Sequence, residues 1–237
     1  MKHIYFNVQS KGGAGKSMLT YLQALKHEEN TKTAFIDLDS ATCTSLQQLK
    51  FIGVQENRLF KVDILDFHKK IEREKLFTVI EKACAMPFEK YFIDFGAAES
   101  EQLARLLSLD FTSAEFKEFE KEQNARFVFN VVIAGGTSYV ACFEYLKNLL
   151  ELVGSNFEMR VYANDFMFKG QQFLLEELKR FIASTKGLIK SVIQFGNFFP
   201  ERVSGTQIIE TMKMGKGKEG LSSFSTKIII RKELAKI

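Results

Sequence analysis

A glycine-rich segment near the start of the chain, Lys11–Ser17 (KGGAGKS), has the residue types and spacing of a phosphate-binding loop. Its glycines let backbone N–H groups wrap phosphate oxygens without Cβ clashes, and a helix that follows directs its positive end at the same oxygens. Lys16 can then reach the β- and γ-phosphates, and the Ser17 hydroxyl suits Mg²⁺. The alternative is a glycine turn that only caps a helix, because Ser10 replaces the first glycine of the strict pattern G-x-x-x-x-G-K-[ST].

Carboxylates follow two predicted strands that end near this loop. Asp37 and Asp39 lie at the end of the apolar run that begins at Thr33, and strand alternation places both on one face. Asp94 ends the apolar run Tyr91–Ile93. Because ligands bind at the carboxyl ends of parallel strands, these acids are candidates for handling Mg²⁺ and water. Simple helix capping is the alternative for the first pair.

The elements that must position these residues alternate between strands and helices. Apolar runs predict strands at His3–Val8, Thr33–Leu38, Tyr91–Phe95, Phe127–Ala134, Glu158–Ala163 and Leu188–Phe195, with an ambiguous one at Arg58–Leu65. Helical spacing predicts helices at Ser17–Glu29, Ser45–Leu49, His68–Met86, Ser100–Leu109, Ser138–Val153 and Gln171–Ser184. The alternation predicts an α/β fold with an open, mostly parallel sheet and helices on both faces. We expect residues 1–237 to form one domain.

The composition is that of a globular chain without a membrane span. The 237 residues are 46% hydrophobic and 26% charged, and the apolar runs are far shorter than the roughly 20 residues that span a bilayer. The N-terminus leads straight into the glycine-rich loop, so we expect no signal peptide. Cys43, Cys84 and Cys142 are widely spaced, which favours incidental thiols over a metal site or a disulfide framework. We therefore expect a cytoplasmic protein.

Positive charge is concentrated in the last part of the chain. Residues 211–237 contain seven Lys and Arg against two Glu, whereas the net charge of the whole chain is +4. Basic side chains bind DNA phosphates without regard to base sequence, so Lys213, Lys216 and Lys218 are candidates for non-specific DNA contacts. A solvated basic surface without a ligand is the alternative.

Lys11 is the distinctive residue of the loop, because an ordinary phosphate loop needs no lysine there. The pattern K-G-G-x-G-K-[ST] is the deviant Walker A motif, and in it the chain resembles the ParA/MinD family of P-loop ATPases. The resemblance implies a Mg²⁺-dependent ATPase, slow without a partner, that works as a homodimer closed by ATP. It also implies that Lys11 stabilises transition-state charge on the partner subunit's nucleotide. A solvated lysine beside the loop is the alternative.

The same resemblance assigns roles to other residues by their position. Asp39 matches the switch I aspartate, which orients the attacking water and belongs to the magnesium shell. Asp94 matches the Walker B acid, which holds Mg²⁺ through water. The implied catalytic residues are Lys11, Lys16 and Asp39, and the implied metal-binding residues are Ser17, Asp39 and Asp94. The chain departs from its relatives at Phe95-Gly96-Ala97, where they often have proline, although Gly96 still supplies an N–H to sense γ-phosphate.

The implied adenine site lies at the ends of later strands. Asn164 resembles the family's adenine-reading asparagine, whose amide offers both a donor and an acceptor. The segment Gln194–Asn197 falls where relatives wrap the base. Strand-end capping is the alternative for Asn164. The implied nucleotide-binding residues are Gly12, Gly13, Ala14, Gly15, Lys16, Ser17, Met18, Asn164, Phe195 and Asn197.

Three outputs are open for such a switch, because a fold does not determine a function. The first is partitioning of plasmid or chromosomal DNA, or conjugative mobilisation, with an adaptor protein that stimulates hydrolysis. The second is MinD-like positioning of a protein complex at a membrane through Lys227–Ile237, although packing of its apolar face on the protein is the stronger expectation. The third, an iron–sulfur reductase, needs paired cysteines near the switch regions, which the sequence lacks.

Overall fold

Parallel strands form the centre of the computed structural model, which describes residues 1–40, 44–66, 68 and 71–237. The strands are β1 (Lys2–Val8), β2 (Thr33–Asp37), β3 (Leu59–Lys61), β4 (Lys90–Asp94), β5 (Ala125–Ile133), β6 (Glu158–Asn164) and β7 (Ile189–Phe195). Within the described residues these seven strands make one sheet in the order β3-β2-β4-β1-β5-β6-β7, and every neighbouring pair is parallel. The predicted open, parallel sheet is confirmed.

Helices cover both faces of this sheet. They are α1 (Lys16–Lys26), α2 (Thr44–Gln48), α3 (Lys50–Glu56), α4 (Lys75–Ala85), α5 (Ala97–Arg105), α6 (Ser113–Glu122), α7 (Tyr139–Val153), α8 (Gln172–Ser184), α9 (Val203–Lys213) and α10 (Phe224–Leu234). The chain moves from β1 to β2 in one direction along the sheet and from β4 to β5 in the other. Right-handed crossovers therefore place α1 and α5 on opposite faces, where α1 packs with α10 and α5 packs with α7.

The strands are apolar on both faces because helices cover both sides of the sheet. Every residue of β2 is buried, as is every residue of β5 except Arg126. Phenylalanine rings fill much of one layer: the ring of Phe6 lies 5.2 to 5.9 Å, centroid to centroid, from those of Phe95, Phe127 and Phe129. Continuous apolar runs, rather than alternation, are therefore the signal that identifies these strands.

A buried polar cluster attaches α1 to the central strands. Asn7 Nδ2 donates to Thr20 Oγ1 (2.8 Å) and to Gln23 Oε1 (2.7 Å), and Asn130 Nδ2 donates to Asn7 Oδ1 (2.9 Å). All four side chains are almost completely buried. Because a buried amide without partners is costly, these bonds fix the rotation of α1 on the sheet. They thereby fix the direction of its N-terminus, where the glycine-rich loop ends.

Several helices differ from the sequence prediction. The predicted helix from His68 begins only at Lys75, because an isolated antiparallel bridge joins Leu65 to Ile71; residues 69 and 70 of that prediction lie outside the described residues. Apolar spacing does not predict α3 or α6. The latter begins with a capping box in which Thr112 and Glu115 each accept the other's backbone N–H. Its apolar face is narrow, so the many charged residues obscure the helical spacing of the few apolar ones.

Candidate functional site

The glycine-rich loop joins β1 to α1 at the carboxyl edge of the sheet. Gly13 and Gly15 have left-handed φ values of 76° and 110°, which residues with a Cβ rarely adopt. A Cβ on Gly15 would also lie 2.5 Å from Asn164 Nδ2, whereas Gly12 and Gly13 face open space. The loop is therefore tightly seated on one side and open on the other, as a phosphate cradle must be.

Lys16 is buried at the base of the loop, with an exposed fraction of 8%. Its Nζ donates to the backbone carbonyl of Gln9, 2.9 Å away. Burial lowers the pKa of Lys16, while the charges of Asp94 and Asp39 act in the opposite direction. Because the surroundings have a low dielectric constant, this ammonium group interacts strongly with an anion that enters the loop. Lys11, at the other end of the loop, is exposed.

Asp94 is fully buried beside the loop. Its Oδ2 accepts hydrogen bonds from Ser17 Oγ (2.8 Å) and from Ser45 Oγ, while Oδ1 is buried with no hydrogen-bond partner among the described residues. An orphaned carboxylate oxygen next to a hydroxyl fits Mg²⁺ or one of its bound waters. No group of three or more His, Cys, Asp or Glu in the described part of the chain could hold a metal. Mg²⁺ commonly takes its other ligands from phosphates and water.

The titration of Asp94 leads to a testable pH dependence. Burial raises its pKa to about 6, against about 3.9 for an ordinary aspartate. Its contribution to stability is therefore fully present below pH 4 and is lost as the pH rises through 6. An asparagine at this position cannot ionise. We therefore expect the free energy of unfolding of Asp94→Asn to rise by about 2 kcal/mol relative to that of the wild type as the pH increases from 4 to 7. Urea unfolding of both proteins, without nucleotide or metal, measures this difference.

Parallel stability profiles for the two proteins would contradict that expectation. Burial also raises the pKa of Asp37, which is the register partner of Asp94 on the neighbouring strand. Since Asp37 is present in both proteins, its own titration contributes to both curves. The difference between the curves therefore reports mainly on Asp94.

The two acids at the end of β2 have different surroundings. Asp37 accepts at Oδ1 from Asp39 N (2.9 Å) and at Oδ2 from Leu46 N (2.8 Å), so it holds the turn after the strand and the start of α2. Asp39 is half-buried, and its Oδ1 lies 3.1 Å from the position that a Cβ on Gly96 would take. The structure thus brings Asp39 to the turn after Asp94, whereas Asp37 is a capping acid.

Glu99 is a buried acid of this region that the motif positions do not predict. Its exposed fraction is 3%, its Oε1 accepts from Ser40 N (3.3 Å), and its Oε2 packs against Gly96. In the sequence, an acid in the first turn of a helix is explained by the helix dipole alone. The contact with Ser40, which follows Asp39, appears only when the two segments are brought together in the fold.

Asn164, at the end of β6, packs against the loop. Its Nδ2 donates to Ala14 O (3.0 Å), and its Oδ1 is buried without a hydrogen-bond partner among the described residues. Phe195, at the end of β7, is also buried, and its Cζ lies 3.6 Å from the position of a Cβ on Gly15. The structure therefore brings both predicted base-site residues to the side of the loop.

The segment after β7 connects this side of the loop to the last helix. A Cβ on Gly196 would lie 3.2 Å from Met18 Sδ and from Asn164 Oδ1, and the φ of Gly196 is 79°. Its N–H donates to Oε2 of the buried Glu233 in α10 (2.8 Å). Asn197, the next residue, is exposed. Met18 thus joins the predicted base site, while Asn197 lies at its surface.

The predicted DNA-contacting lysines lie on the surface, at the end of α9 and just after it. Lys213, Lys216 and Lys218 are all exposed. Lys218 Nζ lies 3.6 Å from Glu29, which reduces the positive charge that it presents to solvent. The thiol of Cys142 is buried and that of Cys84 is half-buried; Cys43 lies outside the described residues.

Sequence and structure comparisons give different results for this chain. No family model matches the sequence, and no curated protein matches it. Solved structures do match, at low sequence identity. The MinD cell division protein of Aquifex aeolicus is 14% identical over 99% of this chain and 95% of that one, with a TM-score of 0.54.

Two further solved structures match at a TM-score of 0.50. A plasmid partition protein of Borrelia burgdorferi is 15% identical over 90% of this chain and 97% of that one. A nucleotide-binding protein of Archaeoglobus fulgidus, in complex with ADP, is 14% identical over 90% of this chain and 87% of that one. Identities this low establish the fold and leave the activity to be argued from the site.

Proposed function

We propose that this chain, which has the fold of the ParA/MinD-type P-loop ATPases, is a switch that binds and hydrolyses ATP and dimerises when ATP is bound. The observation that carries the proposal is the buried Lys16 ammonium group at the base of the glycine loop, next to the Ser17–Asp94 contact. A fixed positive charge, a curved loop backbone and an orphaned carboxylate oxygen are what a nucleoside triphosphate with Mg²⁺ requires.

Each residue of the site has a distinct role in this proposal. Lys16 binds the β- and γ-phosphates, and Ser17 and Asp94 would hold Mg²⁺, the latter through water. The ion, when bound, neutralises charge that develops on the phosphates. Asp39 orients the attacking water and contributes to the magnesium shell; its place beside Gly96 at the turn after Asp94 supports that assignment.

Lys11 acts between subunits in this proposal. Its backbone N–H donates to Gln9 Oε1 (3.2 Å), so the main chain is anchored while the residue as a whole is exposed. A lysine that is exposed at the mouth of a phosphate site is free of the burial that confines Lys16. We assign Lys11 to the phosphates of the second subunit's nucleotide, where its charge stabilises the transition state.

The amide of Asn164 selects adenine in this proposal. Its Nδ2 is already bonded to Ala14 O, and the buried Oδ1 has no donor among the residues that the structure describes. The exocyclic amine of adenine supplies a donor, whereas the corresponding carbonyl of guanine supplies only a second acceptor. The remaining predicted residues, Phe195 and Met18, border the same region.

Nucleotide-dependent dimerisation of the wild-type protein tests the proposal. The protein is titrated with labelled ATP, ADP and GTP, with and without Mg²⁺, and its mass in solution is measured with each. We expect tight adenine-nucleotide binding, a dimer with MgATP only, and slow phosphate release. Absence of ATP binding would overturn the proposal as a whole, whereas ATP binding by a persistent monomer would remove the dimeric switch from it.

We propose further that the ATP-bound form contacts DNA non-specifically, in plasmid or chromosome partitioning or in conjugative mobilisation. The exposed Lys213 and Lys216 support this output. Lys50 is also exposed and belongs to the same surface, because its side chain packs beside Gly215, which lies between these two lysines in sequence. A dimer doubles such a surface, so ATP binding raises DNA affinity through multivalency. An adaptor that stimulates hydrolysis would then release the DNA, and the protein would act in the cytosol or on the nucleoid.

Removing two of these lysines is expected to weaken DNA binding in a salt-dependent way. Lys213→Ala combined with Lys216→Ala should reduce the slope of log affinity against log salt concentration by about 2 per subunit, since each phosphate contact contributes about 0.9. Titration of a random-sequence duplex between about 50 and 200 mM salt, with MgATP present, measures the slope.

The matched control for this pair removes the same charge elsewhere. Lys186 and Lys190 are exposed at the amino end of the sheet, around the start of β7. Their replacement by alanine should leave the slope close to that of the wild type. Equal effects of the two pairs would show that net charge, rather than this surface, attracts DNA. No ATP-dependent binding at low salt would contradict the DNA output.

The structure gives the membrane alternative little support. The apolar face predicted for the last helix packs on the protein: Ile230 is buried, and Leu234 and Ile237 pack against the core. Within the described residues, no helix combines the length and apolarity needed to cross a bilayer. Liposome sedimentation with MgATP, run beside the DNA titration, discriminates the two outputs.

A further inference from the structure

A chain of hydrogen bonds connects the turn after Asp94 to the backbone of Lys11. Ser100, in the first turns of α5, donates from Oγ to Gly96 O (2.8 Å). Ser100 Oγ also accepts a hydrogen bond from Gln9 N (3.1 Å). The side chain of Gln9 in turn accepts from Lys11 N at Oε1 (3.2 Å). The Ser100 hydroxyl, together with the backbone and side chain of Gln9, therefore joins two segments that are about 90 residues apart in sequence.

The middle of this chain of bonds is buried and bonded to neighbouring elements. Gln9 and Ser100 are both completely buried. Gln9 Nε2 donates to Val132 O (2.8 Å) and to Cys142 O (3.3 Å), which attaches it to β5 and α7. Tyr145 Oη donates to Ser100 O (3.0 Å). Because buried polar atoms without partners are costly, these bonds hold the side chain of Gln9 and the backbone of Ser100 in place relative to their neighbours.

A serine that bonds the carbonyl four residues earlier is common in helices and would need no functional explanation. The second bond of Ser100 is different, because its donor belongs to the segment that leads into the phosphate loop. On the neighbouring position of the same helix, Glu99 contacts Ser40. The start of α5 therefore contacts Gly96, Gln9 before the loop and Ser40 after Asp39 at once.

We propose that Ser100 is a positioning residue that sets the backbone of Lys11 according to the state of the Gly96 turn. The inference rests on the proposed function, since it concerns how a γ-phosphate near Gly96 controls ATP-dependent dimerisation. Gly96 O, Ser100 Oγ and Gln9 N are bonded in series, so a displacement of the Gly96 turn acts on the main chain of Gln9. Lys11 follows because Gln9 Oε1 holds its N–H.

Ser100→Ala tests this role with little disturbance to the core. We expect its affinities for ATP and ADP to stay within about twofold of the wild type, because it touches neither Lys16 nor Ser17. ATP-dependent dimerisation should weaken about tenfold, the size expected when one buried hydrogen-bond link is removed. Nucleotide titration and analytical ultracentrifugation give these two quantities separately, and thermal unfolding monitors the fold.

Ser108→Ala is the matched control, because Ser108 is exposed and bonds only to Arg105 O among the contacts described for it. It should dimerise like the wild type. Gln9→Met removes the link to Lys11 from the other side while keeping the length of the side chain. We expect its ATP-dependent dimerisation to weaken by about tenfold or more, and the double variant to dimerise no more weakly than Gln9→Met alone, since both break one pathway.

Unchanged dimerisation of Ser100→Ala would overturn the inference. So would an equal loss of ATP and ADP affinity, additive effects in the double variant, or loss of the folded state in both single variants, since each assigns the bonds to stability alone. If the wild type and these variants all bind ATP and dimerise alike, the role of Ser100 is overturned and the proposed function stands. If the wild type neither binds ATP nor dimerises, the proposed function and the role of Ser100 are both overturned.

Discussion

Lys16→Ala is expected to weaken ATP binding by about a hundredfold, with a smaller effect on any ligand that lacks a β-phosphate. The ammonium group is buried in the glycine loop and is already oriented by Gln9 O at 2.9 Å. A charge held in a low-dielectric site requires little reorganisation when phosphates arrive, and it interacts with them more strongly than a solvated lysine can. No other lysine of the loop shares this position, because Lys11 is exposed.

Titration with fluorescent ATP in the presence of Mg²⁺ measures the loss, and calorimetry checks it. Lys26→Ala is the control, since it removes the same charge from the far end of α1. It should bind ATP like the wild type. Binding by Lys16→Ala within about threefold of the wild type would mean that the loop does not hold the triphosphate in the way proposed. Thermal unfolding of both variants separates loss of binding from loss of fold.

The parts of the site that sequence could predict are those whose chemistry is local. The loop at Lys11–Ser17 is a continuous segment, and its glycines have meaning wherever the loop lies. Asp39 and Asp94 were predictable because parallel strands bring their carboxyl ends to one edge, so an acid after each strand lies near the loop. The assignment of Asn164 rests on the family resemblance, and the same strand-end geometry accounts for its place beside the loop.

The remaining contacts depend on how helices rotate and pack. Glu99 and Ser100 lie in the same helix, and nothing in their spacing indicates that one meets Ser40 and the other Gln9. Gln9 is one residue beyond a buried strand, where a polar side chain is ordinarily a sign of exposure. Its burial depends on carbonyl groups of β5 and α7, which only the tertiary structure supplies.

The helices show the same limit. Those with broad apolar faces, such as α7 and α8, were predicted within a residue of their observed bounds. In contrast, α6 presents only Phe116 and Phe119 as large apolar residues among many charges. Its capping box at Thr112–Glu115 was the available signal, because a threonine followed three residues later by glutamate marks a helix start. Apolar spacing alone overlooks it.

Lys11→Ala is expected to retain ATP binding within about threefold while hydrolysis falls about a thousandfold and the ATP-dependent dimer is lost. The reason is the contrast between the two lysines: Lys16 is buried in the loop, whereas Lys11 is exposed and only its backbone is anchored. A charge supplied to a transferring phosphoryl group from another subunit is worth about a thousandfold or more in rate. Single-turnover hydrolysis and mass in solution with MgATP give the two effects.

Mixing the two lysine variants shows which subunit Lys11 serves. Lys16→Ala is expected to bind ATP about a hundredfold more weakly but still carries Lys11, while Lys11→Ala carries nucleotide but lacks the acting charge. If Lys11 acts on the partner's nucleotide, a mixture should hydrolyse ATP faster than the sum of the separate variants, because a mixed dimer has one complete site. If Lys11 acts on its own nucleotide, no mixed dimer has a complete site and the mixture should only add the two residual rates. Normal hydrolysis by Lys11→Ala alone would rule out both roles of Lys11, because the reaction would then proceed without that charge.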